Sequence, residues 1–364
     1  MKLKEITSYI ESIAPLALQE NYDNAGLIIG DEEKEITGAL VTVDLTEEVL
    51  EEAIDNKLNL VISHHPIMLS GVKKITGKNH TERIILKAIK NDVAIYAAHT
   101  NLDSIWGGVS SKIAEKLNLK NQKILAPVTN HLMKLVYFVP TEQASETRQA
   151  IFEAGAGQIG DYDMCSYNLE GKGSFRAGDG TNPFVGEKGE IHFEEETRVE
   201  TILPKHLKNK IVAALIKSHP YEEVPYDLYP LDNKFDRAGY GIVCDLSADV
   251  DELEFLKKLK KIFSAQCIRH TKLLNKNIKR VAVCGGSGSF LLQNAIQQKA
   301  DILVSGDFKY HQFFDAEGKI IIADIGHFES EQITKELFYE LLIKKFPKFA
   351  VRLTEINSNP INYL

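Results

Sequence analysis

The chain has 364 residues, 44% hydrophobic and 26% charged, enough for a substantial core divided between two domains of ordinary size. A formal charge of −8 argues against generic attraction to nucleic acid or to an acidic membrane surface, while leaving room for a local basic pocket for a phosphate. Four scattered cysteines without CxxC spacing argue against a disulfide framework or zinc ribbon, and no apolar run reaches the roughly 18 residues of a membrane helix. The opening "MKLKEITSYIESIAPLALQE" is too polar for a signal peptide, so the expected setting is the reducing cytoplasm.

The first third alternates strand and helix patterns. "ITGALVTVDL" (36–45) predicts a strand, and "TEEVLEEAIDNK" (46–57) a helix capped by Thr46. "LNLVIS" (58–63) predicts a buried strand, "TERIILKAIKN" (81–91) a helix, "VAIYAA" (93–98) a strand and "GGVSSKIAEKLNL" (107–119) a helix. The middle differs: "HLMKLVYFVP" (131–140) predicts a strand, and "ASETRQAIFEAG" (144–155) and "KHLKNKIVAALIKSHP" (205–220) predict helices, around a long polar, glycine-rich stretch (168–200). A β-α-β-β-α-β order there implies a small α+β sandwich inserted into an outer domain.

The last third returns to alternation. "KRVAVCGG" (279–286), "ADILVSGD" (300–307), "KIIIADIG" (319–326) and "FAVRLTEIN" (349–357) predict strands, with helices at "FLLQNAIQQKA" (290–300) and "ESEQITKELFYELLIKKF" (329–346). Such Val/Ile-rich βα alternation indicates α/β layers with a parallel or mixed sheet. The expected division is 1–129 with 236–364 as the α/β core, and 130–235 as the insert.

Four apolar strands end in polar residues: "VISHH" (His64, His65), "YAAHTNLDS" (His99, Asp103), "LVSGDFKYH" (Asp307, Lys309, His311) and "ADIGHFESE" (His327, Glu329, Glu331). In open α/β sheets ligands bind beyond the carboxyl ends of strands, so these elements predict one shared site. A helix beginning near Gly326 puts His327 and Glu331 on one face at i, i+4 and turns Glu329 away. Adjacent residues in a strand face opposite sides, so His64 and His65 can share one ion only if the chain turns there, as Pro66 permits; the favoured expectation is that each serves a different ion of a metal pair, with Glu331 bridging and Asp103 completing one ion. Imidazole and carboxylate donors suit Zn, Mn or Fe. Two such ions per chain, about 3.5 to 4 Å apart, can activate a water between them. His131, His192, His206 and His270 are read as structural.

"YDNAGLIIG" (22–30), "SHHPIMLSGVKKI" (63–75), "AHTNLDS" (98–104), "CGGSGSF" (284–290), "SGDFKYHQ" (305–312) and "GHFESE" (326–331) closely resemble the GTP cyclohydrolase I type 2 homologue, or Nif-three-like, family. The resemblance implies an α/β sandwich core with a dinuclear metal centre, assembled as a ring-shaped homohexamer. It carries the ligand role onto His64, His65, Asp103, His327 and Glu331, and leaves His99 as an acid/base or supporting group. Tyr22 stands where the family usually has Trp. "SHPYEEVPYDLYPL" (218–231) resembles the signature of a PII/CutA-like domain inserted in longer members. The implied activity is hydrolysis, in the family's name opening of the guanine imidazole ring of GTP, on a small-molecule or nucleotide substrate. Phosphoester hydrolysis at the same metals, and a non-enzymatic ring-shaped metal-binding protein, are the alternatives. Lys73, Lys74 and Lys309 are candidate phosphate contacts; "CGGSGSF" is either an anion cradle or a tight strand-to-helix turn.

Overall fold

The computed structural model describes all 364 residues, which divide into two compact units, 1–127 with 237–364, and 128–236. Chain order gives strands β1 (Gly26–Ile29), β2 (Gly38–Thr42), β3 (Leu60–Ser63), β4 (Ala94–Ala97) and β5 (Lys120–Val128) first. The inserted unit holds β6 (Leu132–Pro140), β7 (Ser166–Arg176), β8 (Ile191–Pro204) and β9 (Tyr226–Leu231). Then follow β10 (Phe235–Val250), β11 (Arg269–His270), β12 (Ile278–Ser287), β13 (Ile302–Gly306), β14 (Ile321–Asp324) and β15 (Ala350–Leu353).

The outer unit contains two sheets, ordered β1-β4-β3-β2-β15 and β11-β14-β13-β12-β10-β5. Strands β15, β2, β3 and β4 run parallel, as do β12, β13 and β14, with antiparallel strands beside them. The parallel strands β2, β3, β4, β13 and β14 are buried at every residue, as expected where both faces are covered. Leu40, Val61 and Ile95 pack with Leu50 and Ile84 of the flanking helices in one core; Ala282, Leu303 and Ile322 pack with Leu292 and Phe308 in another. Full burial of each Val, Leu, Ile or Phe side chain among them contributes about 1.5–3 kcal/mol.

Local signals place the helices. Thr46 caps Glu47–Asp55 by accepting from the Val49 amide at 3.3 Å, and Asn79 caps His80–Lys90 from the Glu82 amide at 2.9 Å. The last long helix departs from expectation. The helix expected over 329–346 is two: a short helix His327–Glu331, then Thr334–Lys345. The Ser330 hydroxyl bonds the His327 carbonyl at 2.8 Å and the Gln332 side chain reaches the Phe263 carbonyl at 2.8 Å, which anchors the first turn separately from the second helix.

The inserted unit has the order strand, helix (Ala144–Glu153), two strands, helix (Lys208–Ser218), strand, in an antiparallel sheet β7-β8-β6-β9. This is the ferredoxin-like β-α-β-β-α-β arrangement, with Leu135, Tyr137 and Val199 packed against Ile211 and Leu215. No helix of the chain is long and apolar enough to cross a membrane, and all four cysteines are unpaired.

Candidate metal centre

Because β2, β3 and β4 are parallel, their carboxyl ends open on one side, and β13 and β14 bring theirs to the same place. His64 and His65 directly follow β3, and Asp44 lies two residues beyond β2. His99 follows β4 and begins a single helical turn, Thr100–Asp103, that carries Asp103. Asp307 follows β13, and His327 and Glu331 occupy the first and last positions of the short helix after β14.

Glu331, 3% exposed, is the centre of the cluster. Its Oε1 lies 3.6 Å from His64 Nε2, which is 3.7 Å from Asp103 Oδ1. Its Oε2 lies 2.9 Å from both His65 Nε2 and His327 Nε2, and those two nitrogens are 3.2 Å apart. His64, His65 and Glu331 form a group whose donor atoms all lie within 4.8 Å of one another, a cluster able to hold a metal ion. His327 and Asp103 adjoin it; Glu329 does not, its carboxylate accepting from Asn359 at 3.1 Å.

The other ring nitrogens are already engaged. His64 Nδ1 donates to the Ala98 carbonyl at 2.9 Å, His65 Nδ1 to Asp44 at 2.6 Å, and His327 Nδ1 to Asp307 at 2.6 Å. Those bonds turn each Nε2 toward the centre. There, His64 Nε2, Asp103 Oδ1 and Glu331 Oε2 are buried without a hydrogen-bond partner; the 2.9 Å contacts to Glu331 Oε2 lack hydrogen-bond geometry. Buried polar atoms are normally satisfied, and here the orphans converge. Metal–donor bonds of about 2.0–2.2 Å place neighbouring donors roughly 2.9–3.6 Å apart in octahedral or tetrahedral sites, close to the separations found.

The charges reinforce one another. Burial opposes ionisation of Glu331, but the imidazoles of His64, His327 and His65 outweigh it and hold the carboxyl well below its usual range. Burial likewise disfavours the imidazolium of His65 and His327, yet the paired carboxylates prevail: Asp44 and Glu331 raise His65 to about 10, and Asp307 and Glu331 raise His327 to about 11. Asp103 keeps a quarter of its side chain open to the cavity, but burial around its carboxyl lifts it to about 7.

A cavity of about 480 Å³ opens onto the cluster, lined by His99, Asp103, His327 and Glu331 together with Tyr22 and Tyr240. His99 Nδ1 donates to Asp23 at 2.7 Å, and Asp23 is fixed in turn by the Thr100 amide at 3.0 Å and the Thr100 hydroxyl. Burial pushes the Asp23 carboxyl up, but the bonds from His99 and Thr100 outweigh it and hold it far below its usual range. Lys73, Lys74 and Lys309 do not line this cavity.

"CGGSGSF" is the tight strand-to-helix turn read from its sequence: β12 ends at Ser287 and helical backbone begins at Ser289. Gly286 has φ +61°, and a Cβ there would collide with the Glu331 carboxylate; its amide donates to Ser330 at 2.9 Å. The glycine makes room for the central carboxylate. Sequence reasoning passed over Asp44 and Asp23 as supporting groups. Asp44 closes the β2 strand pattern as the histidines close β3, and that shared position was its signal.

A mixed α/β fold whose strand ends gather histidines and carboxylates defines the class, and sequence comparison identifies the family. The family model for Duf34/NIF3 (NGG1p interacting factor 3) matches residues 1–360, and the chain belongs to that family. It is 40% identical to a "GTP cyclohydrolase 1 type 2 homolog" of Halalkalibacterium halodurans over 99% of this chain and 98% of that one. The protein of the same name from Bacillus subtilis is 38% identical, with the same coverage. Among solved structures, a Bacillus cereus protein related to NIF3 superposes with TM-score 0.86 at 36% identity, covering 100% of this chain and 99% of the other.

Proposed function

We propose that the chain is a metal-dependent hydrolase with two divalent ions, Zn, Mn or Fe, held by His64, His65, Asp103, His327 and Glu331. The observation that carries this reading is the division of Glu331. One oxygen faces His64, which in turn faces Asp103, the other faces His65 and His327, and both groups border a cavity. Ions there would supply Lewis acidity, lowering the pKa of a water and offsetting the charge that develops on attack. His99 is the acid/base: Asp23 holds Nδ1 as donor, which leaves Nε2 to exchange a proton in the cavity. Asp44 and Asp307 orient His65 and His327.

The substrate class is a nucleotide or another small molecule with a bond open to water attack. The names of the relatives support ring-opening hydrolysis of GTP, with phosphoester hydrolysis as the second reading. The cavity lining contains no lysine or arginine, so phosphate groups would depend on the ions for positive charge. The same reading takes the protein as a cytoplasmic homohexamer, as the family resemblance implies, with the 130–235 segment a PII/CutA-like insert, for which its ferredoxin-like strand order speaks.

The test is turnover by metal-loaded protein on GTP, other nucleotides and simple phosphoesters. Hydrolysis lost in Glu331→Ala, and lowered about 10²–10⁴-fold in His99→Ala with metal content intact, is expected. Full metal loading without turnover of any of these substrates would overturn the hydrolase reading.

A further inference from the structure

The inserted unit carries a second cavity, of about 420 Å³, formed wholly from its own residues. Its walls are aromatic: Phe138, Phe175, Phe184 and Tyr221. The Phe175 and Phe184 rings stand 6.2 and 6.3 Å from the Tyr221 ring, inclined to it by 58° and 52°. Rings inclined in this way line the cavity from several directions, not as one parallel pair.

One carboxylate lies inside. Glu196, 9% exposed, accepts from the Tyr221 hydroxyl at 2.8 Å, and its carboxylate occupies the space a side chain at Gly173 would fill. Its neighbours on β8 all have basic partners: Glu194 meets His192, Glu195 meets Lys172, and Glu200 meets Lys134 and Arg198. Glu196, the most buried of them, has no basic side chain within ion-pair distance. A buried carboxylate without a cation is costly unless something else supplies the charge. Glu222 and Glu223 also line the cavity against the single cation Arg176, so its formal balance is negative.

We propose that this cavity binds a small organic cation, an alkylated ammonium or a guanidinium, with the aromatic rings facing the charge and Glu196 neutralising it. The site is separate from the metal centre and independent of the hydrolase reading. It gives the insert a recognition function of its own.

The test is calorimetric titration of the full chain with choline, with agmatine, and with 3,3-dimethylbutan-1-ol, the uncharged isostere of choline. Saturable binding of choline or agmatine, at least about tenfold tighter than the isostere, is expected from cation–aromatic contact beside a carboxylate in a partly open cavity. Glu196→Gln, which keeps the shape, and Phe184→Ala, at a half-exposed position, should each weaken it about tenfold with metal content and circular dichroism unchanged. Equal binding of the isostere, binding that survives both substitutions, or no saturable binding of either cation would overturn the proposal.

Discussion

Two adjacent histidines end the same strand and meet different surroundings. His64 is fully buried, is held by the neutral carbonyl of Ala98, and faces Asp103 across 3.7 Å. His65 is held by the carboxylate of Asp44 and faces His327, which is held by the carboxylate of Asp307. One half of the cluster therefore has its negative charge among the donor atoms themselves. The other has two charges placed behind imidazoles, where they fix the tautomer and make the rings more basic. Glu331 joins the halves. The halves should therefore answer separately to substitution behind the donors and together to loss of the carboxylate between them.

The largest expected effect breaks both halves at once. Glu331→Ala should leave no stoichiometric ion after desalting, by elemental analysis, with circular dichroism checking that the fold persists. Retention of two ions would show that Glu331 does not join the halves. His65→Ala should lose one ion of two and keep the other; unchanged stoichiometry would remove His65 from the donor set.

Smaller effects sharpen the contrast. Asp44→Asn and Asp307→Asn should each weaken one ion by about 10–100-fold and leave the other unchanged in a metal titration. Equal weakening of both ions would show that the halves are not separable.

The pH dependence follows from the same carboxylates. Without metal, His65 and His327 have pKa values raised to about 10 and about 11, so both are protonated near neutral pH. Their contribution to folding is then fully present below the ordinary imidazole value of about 6.5 and is lost as pH rises through 10 to 11. Metal binding needs neutral imidazoles, so uptake near pH 7.5 should release protons, and apparent affinity should rise with pH. Calorimetry in buffers of different ionisation enthalpy measures that release; uptake without it would contradict the arrangement. The smallest effect expected is none: Glu329→Gln should leave metal content unchanged, because that carboxylate bonds Asn359 instead.

The gathering of His64, His65, Asp103, His327 and Glu331 was legible because strand ends and i, i+4 spacing are local patterns that parallel sheets convert into proximity. Gly286 was not, since its reason lies in a side chain 45 positions later. The broken helix at Gln332 was also illegible: apolar periodicity continues through it, and the break depends on contacts to Phe263. Two strands were expected between the helices of the insert, but their bounds were not legible, because the first part of β7 is exposed on both faces, which removes the alternation that marks a half-buried strand. Their pairing, Ser166 to Thr201 through Arg176 to Ile191, is held by the backbone ladder.

The most direct test of the central claim is the metal content of the wild-type chain, saturated with Zn or Mn, desalted and measured by elemental analysis. The account predicts two ions per chain. One ion, or none under any loading condition, would contradict it.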